Sequence, residues 1–416
     1  VTELFQDMGD TLAAKVRIKE DDAMPWPTLT MNESRREFVR RAQMRDANIA
    51  ALCREFTISR KTAYKWLTRA REDGLNGLRE ASRRPHHCAS QVNEDVVCAL
   101  GKLKLAHPRW GPVKIHELYR RLYGQAPSVS SCHRVLRKLG LVQKRRRRVR
   151  HSGSGFTGVP VAQRPNHVWT VDFKGWWTLG SGERCEPLTV CDAYSRLVLA
   201  TLIPTSTGFA AIKQVFVQLF EQYGLPEILH TDNGSPFACT CAPLGLTRLS
   251  AWWISLGIDL ARNRPAHPQD NPSHERMHGD LESEISNCVQ ADRRAQQAAL
   301  DLWRHEYNQV RPHQSLNQRC PAEVYRRSER KYCDREPDYG PGFIPRKVKK
   351  VGVIVWCSHR VFISSALAGH VVGLRRTADH QLEVWLHHVL IGQIDLQTYA
   401  FRVAPSRAPE RVRLSA

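Results

Sequence analysis

The hydrophobic period of this chain changes twice along its length, which excludes a single repeating architecture. Between about Asp46 and Gly140, apolar residues recur at helical spacing. Between about 166 and 330, short runs rich in Val, Ile, Thr and aromatics alternate with helical stripes. From about 345 to 403 only brief β-rich runs remain, VGVIVW, RVFIS, HVVGL, LEVWLH and VLIGQIDL, divided by turns. The order predicts a multidomain chain: an all-α first part, an α/β region with a mixed sheet, and a small all-β barrel at the end. With 416 residues there is room for about two to four domains.

Residues 1–30, with Pro25 and Pro27 and no clear period, read as a tail. Ile49, Leu52, Cys53 and Phe56 share a helix face, followed by the short turn Thr57–Ile58. Ser59 can cap the next helix, RKTAYKWLTRA, with Ile58 and Ala63 as a hydrophobic staple. Ala63, Leu67 and Ala70 then face inward, and Arg60, Lys61, Lys65 and Arg69 stay outside. Two short helices, a tight turn and a basic second helix predict a helix-turn-helix within 31–80. A second is expected within 91–143. One stripe is Ile115, Leu118, Tyr119 and Leu122 after Gly111–Pro112, the other Val135, Leu136 and Leu139 before a Gly140 cap. Residues 144–165 read as a basic linker. Lys144, Arg145, Arg146, Arg147 and Arg148 are adjacent cations that repel one another, and SGSGFTG follows.

The chain carries 62 Lys and Arg against 41 Asp and Glu, a formal charge of +21. So strong an excess implies a polyanion partner, most simply nucleic acid, and beside two helix-turn-helix units the basic run reads as a clamp on DNA backbone. A membrane surface is the rival partner, but no apolar run is long enough to span a bilayer; Leu197–Pro204 suffices only for a buried strand. The 12 cysteines are scattered without a C-x-x-C, as expected of free thiols in a reducing cytoplasm.

In the α/β region, three acids stand at the ends of elements. Asp172 closes the strand-like run HVWTVDF, Asp232 closes PEILHTD before the sharp turn Asn233–Gly234, and Glu275 lies near the start of the helix carrying HERMHGDLES. An acid on a buried strand is costly unless something positive meets it, and neither strand supplies a neighbouring Lys or Arg. A divalent cation would resolve this, since Mg²⁺ prefers carboxylate oxygens and keeps waters that substrate phosphate can displace. Asp192, in VCDAYSR, reads instead as a structural strand-end acid bonded to backbone or to Ser195.

The segments NHVWTVDFKGWW, CDAYSR, HTDNGSPF, HPQDNPSHERMHGDLESE and YNQVRPHQSLNQRCPAEVY occur in this order over 166–327. They resemble the catalytic core shared by retroviral integrases and bacterial insertion-sequence transposases. The resemblance implies a ribonuclease H-like fold for 166–330, and the upstream helical units and the β-rich part at 345–403 fit the same family. It carries the family's acidic triad onto Asp172, Asp232 and Glu275, as catalytic residues and as ligands of two Mg²⁺ ions, with Mn²⁺ as a substitute. The Asp232–Glu275 interval exceeds the usual one, and CTCAPLGLTR supplies an insertion there. Asp270 and Pro272 stand where the family would place an amide and a glycine, so a stiffer loop and a slower site are expected.

Among supporting residues, Asn233 could orient Asp232, His278 shares the Glu275 helix face, and Arg276, Arg262 and Arg264 would touch phosphate. Met277, Leu281, Ile285 and Cys288 form that helix's buried stripe. The implied activity is DNA transposition: binding of element ends, strand cleavage, and transfer of a 3′-hydroxyl to target DNA by metal-dependent phosphoryl transfer. The expected partners are double-stranded DNA and further copies of the chain, in the cytoplasm at the nucleoid. Two alternatives stay open: a catalytically impaired relic acting as a helix-turn-helix regulator, and a ribonuclease acting on RNA–DNA hybrids.

Overall fold

The computed structural model describes residues 30–80, 92–142, 161–239, 242–264, 271–286, 289–378 and 380–404. The chain divides into two units, Val1–Gln91 and Val92–Ala416.

The first unit holds α1 (Met31–Ala42), α2 (Ile49–Glu55) and α3 (Arg60–Asp73). Ser59 caps α3 by accepting the Thr62 N–H (3.1 Å), and Thr57 turns the chain between α2 and α3 at φ 52°. Phe38, Leu52, Cys53, Ala63 and Trp66 form the core. The expected inward face of α3 therefore includes Trp66, whose ring lies 4.0 Å below the Arg35 guanidinium.

The second unit begins with α4 (Glu94–Ala106), α5 (Pro112–Tyr123) and α6 (Val129–Lys138). Pro112 opens α5, Ser128 caps α6, and Gly140 at φ 71° lets the Leu141 N–H return to the Leu136 carbonyl. Leu100, Trp110, Ile115, Leu118 and Leu136 make the core. Leu122 and Leu139, expected in the stripes, lie at the ends of their helices and are exposed.

Next come β1 (Val168–Phe173), β2 (Trp177–Thr178), β3 (Arg184–Cys185), β4 (Leu188–Asp192), β5 (Val198–Leu202), α7 (Phe209–Tyr223), β6 (Ile228–Thr231), α8 (Arg248–Ser255), β7 (Asp259–Arg262), α9 (Pro272–Leu281), α10 (Arg293–Gln309) and α11 (Pro321–Val324). The main sheet has the order β5-β4-β1-β6-β7. β4 lies antiparallel to β1 and β5, while β1, β6 and β7 run parallel. Strand alternation sends Trp169 and Val171 to one face, where α7 and α8 supply Phe216, Phe220, Trp252 and Trp253. Thr170 and Asp172 point to the other face, beside a smaller core of Met277, Leu281, Leu300, Trp303 and Tyr307 from α9 and α10. Asp192 is fully buried and structural: it accepts the Asn166 N–H (2.7 Å), the Ser195 N–H (2.8 Å) and the Ser195 hydroxyl.

The last part comprises β8 (Ile344–Lys347), β9 (Val353–Trp356), β10 (His359–Phe362), β11 (Val371–Ala378), β12 (Gln381–Leu386), β13 (Val389–Asp395) and β14 (Phe401–Val403). The expected barrel is not formed among the described residues. A five-stranded antiparallel sheet in the order β14-β13-β12-β11-β8 stays open, its edge strands unpaired with each other. The β9–β10 hairpin contributes Ile354, Trp356 and Val361 to the core instead, with Ala251 and Ile254 of α8, so the apolar face is covered without closure.

Candidate active site

The three acids of interest lie at one end of the main sheet. Asp172 is the penultimate residue of β1, opposite Thr189 of β4. Asp232 directly follows β6, whose Thr231 pairs with Val171, so the two acids leave adjacent parallel strands at the same level. Gly234 leaves room behind Asp232: a Cβ there would come within 2.8 Å of Asp232 Oδ2 and push that carboxylate aside. Glu275 stands in the first turn of α9, exposed at the surface.

The start of α9 is held from below. Pro272 occupies its first turn and Asn271 caps it, accepting the His274 N–H at 3.4 Å. The fully buried His274 places Nδ1 2.7 Å from Thr170 Oγ1 and Nε2 2.7 Å from Thr189 Oγ1. One turn on, His278 Nε2 lies 2.7 Å from the same Thr189 hydroxyl, and its Nδ1 faces Asp172 Oδ2 at 3.8 Å. The Thr189 hydroxyl donates to the Asp172 carbonyl (2.9 Å), so it accepts from both rings. This network assigns the proton to Nε2 on each histidine and leaves His278 Nδ1 unprotonated, at a distance from Asp172 that is too long for a hydrogen bond. Burial holds His274 well below the usual histidine range and His278 at about 3, with Lys174 adding to the effect on His278. Both rings are therefore neutral near pH 7.

Asp172 is pushed up to about 7, first by burial and then by the negative charges of Asp232 and Glu275, against the opposing pull of Lys174. Partial desolvation also raises Glu275. Asp232 Oδ1 is buried and has no hydrogen-bond partner within the protein. Lys174, whose charge acts on Asp172, is ion-paired with Glu282 at 3.2 Å. Convergent acids, with an unsatisfied carboxylate oxygen among them, are a donor set suited to a hard divalent cation. A neighbouring grouping of Asp172, His274 and His278 places candidate ligand atoms within 4.8 Å of one another, although both nitrogens of His274 are already engaged by threonines.

Other expected residues sit further out. Asn233 is exposed and donates to the Asn263 carbonyl at 2.6 Å. Arg276 is exposed on α9. Arg262, expected to touch phosphate, is engaged by the Leu244 and Gly245 carbonyls, both at 2.9 Å. Asp270 and Cys288 lie outside the described residues. On α3, Arg60, Lys61 and Lys65 are exposed, whereas Arg69 lies half-buried, 5.3 Å over the Trp66 ring. Lys144, Arg145, Arg146, Arg147 and Arg148 lie outside the described residues. On α6, Ser130, His133, Arg134 and Arg137 line a shallow basic hollow. Sequence reasoning missed His274, Thr170 and Thr189; the one available signal was the alternation that places Thr170 on the same strand face as Asp172.

Integrase core domain models match residues 162–268 and 256–321, a helix-turn-helix domain model matches 34–86, and a homeodomain-like model matches 62–136. The chain is 27% identical to the insertion element IS407 uncharacterized 31.7 kDa protein of Burkholderia multivorans, over 57% of this chain and 84% of that one. It is 24% identical to the insertion element IS476 uncharacterized 39.2 kDa protein of Xanthomonas euvesicatoria, over 72% and 84%. Among solved structures, the catalytic core domain of BIV integrase matches at 23% identity with a TM-score of 0.30, covering 38% of this chain and 93% of that one. Among the described residues no helix is long and apolar enough to cross a membrane. Integrase core models over its α/β region, helix-turn-helix models upstream of them and insertion-element proteins among its relatives together support an insertion-sequence transposase with a retroviral-integrase-like core.

Proposed function

We propose that the chain cleaves DNA at the ends of a mobile element and joins the freed 3′-hydroxyl to target DNA, with Asp172, Asp232 and Glu275 as the catalytic carboxylates. The observation that carries this reading is the state of the carboxylates: Asp172 is raised first by burial and then by the charges of Asp232 and Glu275, and Asp232 Oδ1 has no protein partner. Such an arrangement is unfavourable for the apoprotein and is relieved by cations. The three acids would hold two Mg²⁺ ions, or Mn²⁺ in their place. When bound, the pair would supply activation of the attacking oxygen and stabilisation of the departing one.

The chain's own groups do the remainder. His274 and His278, neutral and tied to Thr170 and Thr189, hold α9 so that Glu275 stays over the strand ends. Asn233 braces the turn after Asp232 through the Asn263 carbonyl. Exposed Arg60, Lys61 and Lys65 suit contacts with DNA phosphates, as do Lys144, Arg145, Arg146, Arg147 and Arg148 from their composition; Arg276 is open to the same role. Two ends must be joined, so the working form is a homo-oligomer on DNA. No covalent protein–DNA intermediate is needed, because water or a 3′-hydroxyl is the nucleophile.

The test uses duplexes carrying the sequences that flank the coding region. Wild type should nick and join them in Mg²⁺ or Mn²⁺, and Asp172→Asn should abolish both steps while leaving duplex binding within about twofold, since phosphate contacts dominate affinity. Binding without any metal-dependent cleavage by wild type would favour a DNA-binding regulator, and cleavage of RNA–DNA hybrids alone would favour a ribonuclease.

A further inference from the structure

The motif YNQVRPHQSLNQRCPAEVY is not among the proposed carboxylates, yet several of its residues join the α4–α6 helices to the α/β core. Arg311, 4% exposed, stands at their junction. Its guanidinium pairs with Asp280 of α9 (2.8 Å) and with Glu284 just beyond α9 (3.1 Å). The same group lies 5.8 Å from the Trp110 ring, which leads into α5, and 5.3 Å from the Tyr307 ring of α10. Trp110 is stacked on His107 at 4.0 Å, and His107 reaches Glu306 of α10 at 3.0 Å. Val310 packs against the α4–α6 core. At the rim, Arg121 of α5 pairs with Glu323 of α11 (2.7 Å) and donates to the Gln318 carbonyl (2.9 Å). The helices are thus seated through α5 and the loop before it, while the hollow on α6 lined by Ser130, His133, Arg134 and Arg137 stays open.

We propose that Arg311 is a positioning residue that couples the seat of the α4–α6 helices to α9, so that DNA held on α6 sets which phosphodiester meets Glu275. The proposal rests on the transposase reading given above. Arg311 is suited to the task because a rigid, bidentate guanidinium fixes direction as well as charge, which a lysine ammonium does not. Asp280 lies on the helix that carries Glu275, so a shift of the seat is passed to α9 through this pair. Small displacements of a reacting group are costly: about 1 Å can lower a rate by roughly a hundredfold.

The experiment follows hydrogen–deuterium exchange in the full chain, with and without a duplex carrying the flanking genomic sequence, and cleavage of that duplex in Mg²⁺. In wild type, the duplex should slow exchange in both α6 and α9. In Arg311→Lys, protection of α6 should persist and protection of α9 should be lost, and cleavage should fall at least about tenfold and spread over neighbouring phosphates. Arg121→Gln opens only the rim and should weaken α9 protection in the same direction, which keeps the proposal open to refutation should Arg311→Lys fold poorly. Unchanged α9 protection in either folded variant would overturn the coupling. Equal loss of protection in α6 and α9 would also overturn it, by giving Arg311 a purely structural role. Exchange alone decides the coupling, whereas absence of wild-type cleavage counts against the transposase reading.

Discussion

Thr189 Oγ1 and His278 Nε2 lie 2.7 Å apart, and the same hydroxyl also meets His274 Nε2 and the Asp172 carbonyl. One threonine thus joins β4, the Asp172 strand and two turns of the helix bearing Glu275. Because His274 is fully buried between the Thr170 and Thr189 hydroxyls, its loss removes one short hydrogen bond from each and opens a cavity. His274→Ala should destabilise the second unit by about 2–4 kcal/mol. Urea unfolding checks this; a change near zero would mean that α9 is held by its apolar stripe alone.

Gly234 offers a cleaner perturbation of the site. A methyl group there would crowd Asp232 Oδ2 without removing any carboxylate. Gly234→Ala should lower metal-dependent cleavage by about tenfold to a hundredfold while the melting temperature moves little. Parallel cleavage and melting measurements separate the two effects, and cleavage at the wild-type rate would show that Asp232 has freedom to move.

DNA contacts on α3 should announce themselves through salt. Lys61 and Lys65 are exposed, the latter with its ammonium 5.3 Å over the Trp66 ring, so both are accessible to a phosphate. If each does, Lys61→Ala and Lys65→Ala should each reduce the slope of log affinity against log salt by about 0.9. An unchanged slope would place the DNA elsewhere.

Acid should weaken the second unit. Burial holds His313 at about 3, and His370 and His387 at about 4, against an ordinary value of 6.5. Below pH 6.5 the unfolded chain takes up protons on these rings before the fold does. Their contribution is therefore complete above pH 6.5 and is lost as pH falls toward 3–4. The melting temperature near pH 5 should be lower than near pH 7.5 by on the order of 5 °C, and equal values would contradict the account.

Much of this architecture was legible because periodicity reports which face of an element is buried. The apolar run HVWTVDF marked β1 with Asp172 near its end, and Ser59 marked the start of α3. What could not be read were contacts between residues far apart in sequence. His274 meets Thr170 and Thr189 only once β1 and β4 have paired and α9 has crossed them. The coupling of Trp110 to Arg311 is hidden for the same reason. The C-terminal runs were readable as strands, but barrel closure depends on edge pairing, and here the β9–β10 hairpin covers the sheet instead. Arg262 was read from its charge, whereas its geometry is set by two backbone carbonyls.

The central claim is that Asp172, Asp232 and Glu275 together bind divalent cations. Titration of the full chain with Mn²⁺, followed by electron paramagnetic resonance in the presence of the flanking duplex, tests it most directly. The account predicts two bound ions in wild type and loss of at least one in each of Asp172→Asn, Asp232→Asn and Glu275→Gln. Wild-type occupancy in all three variants would contradict it.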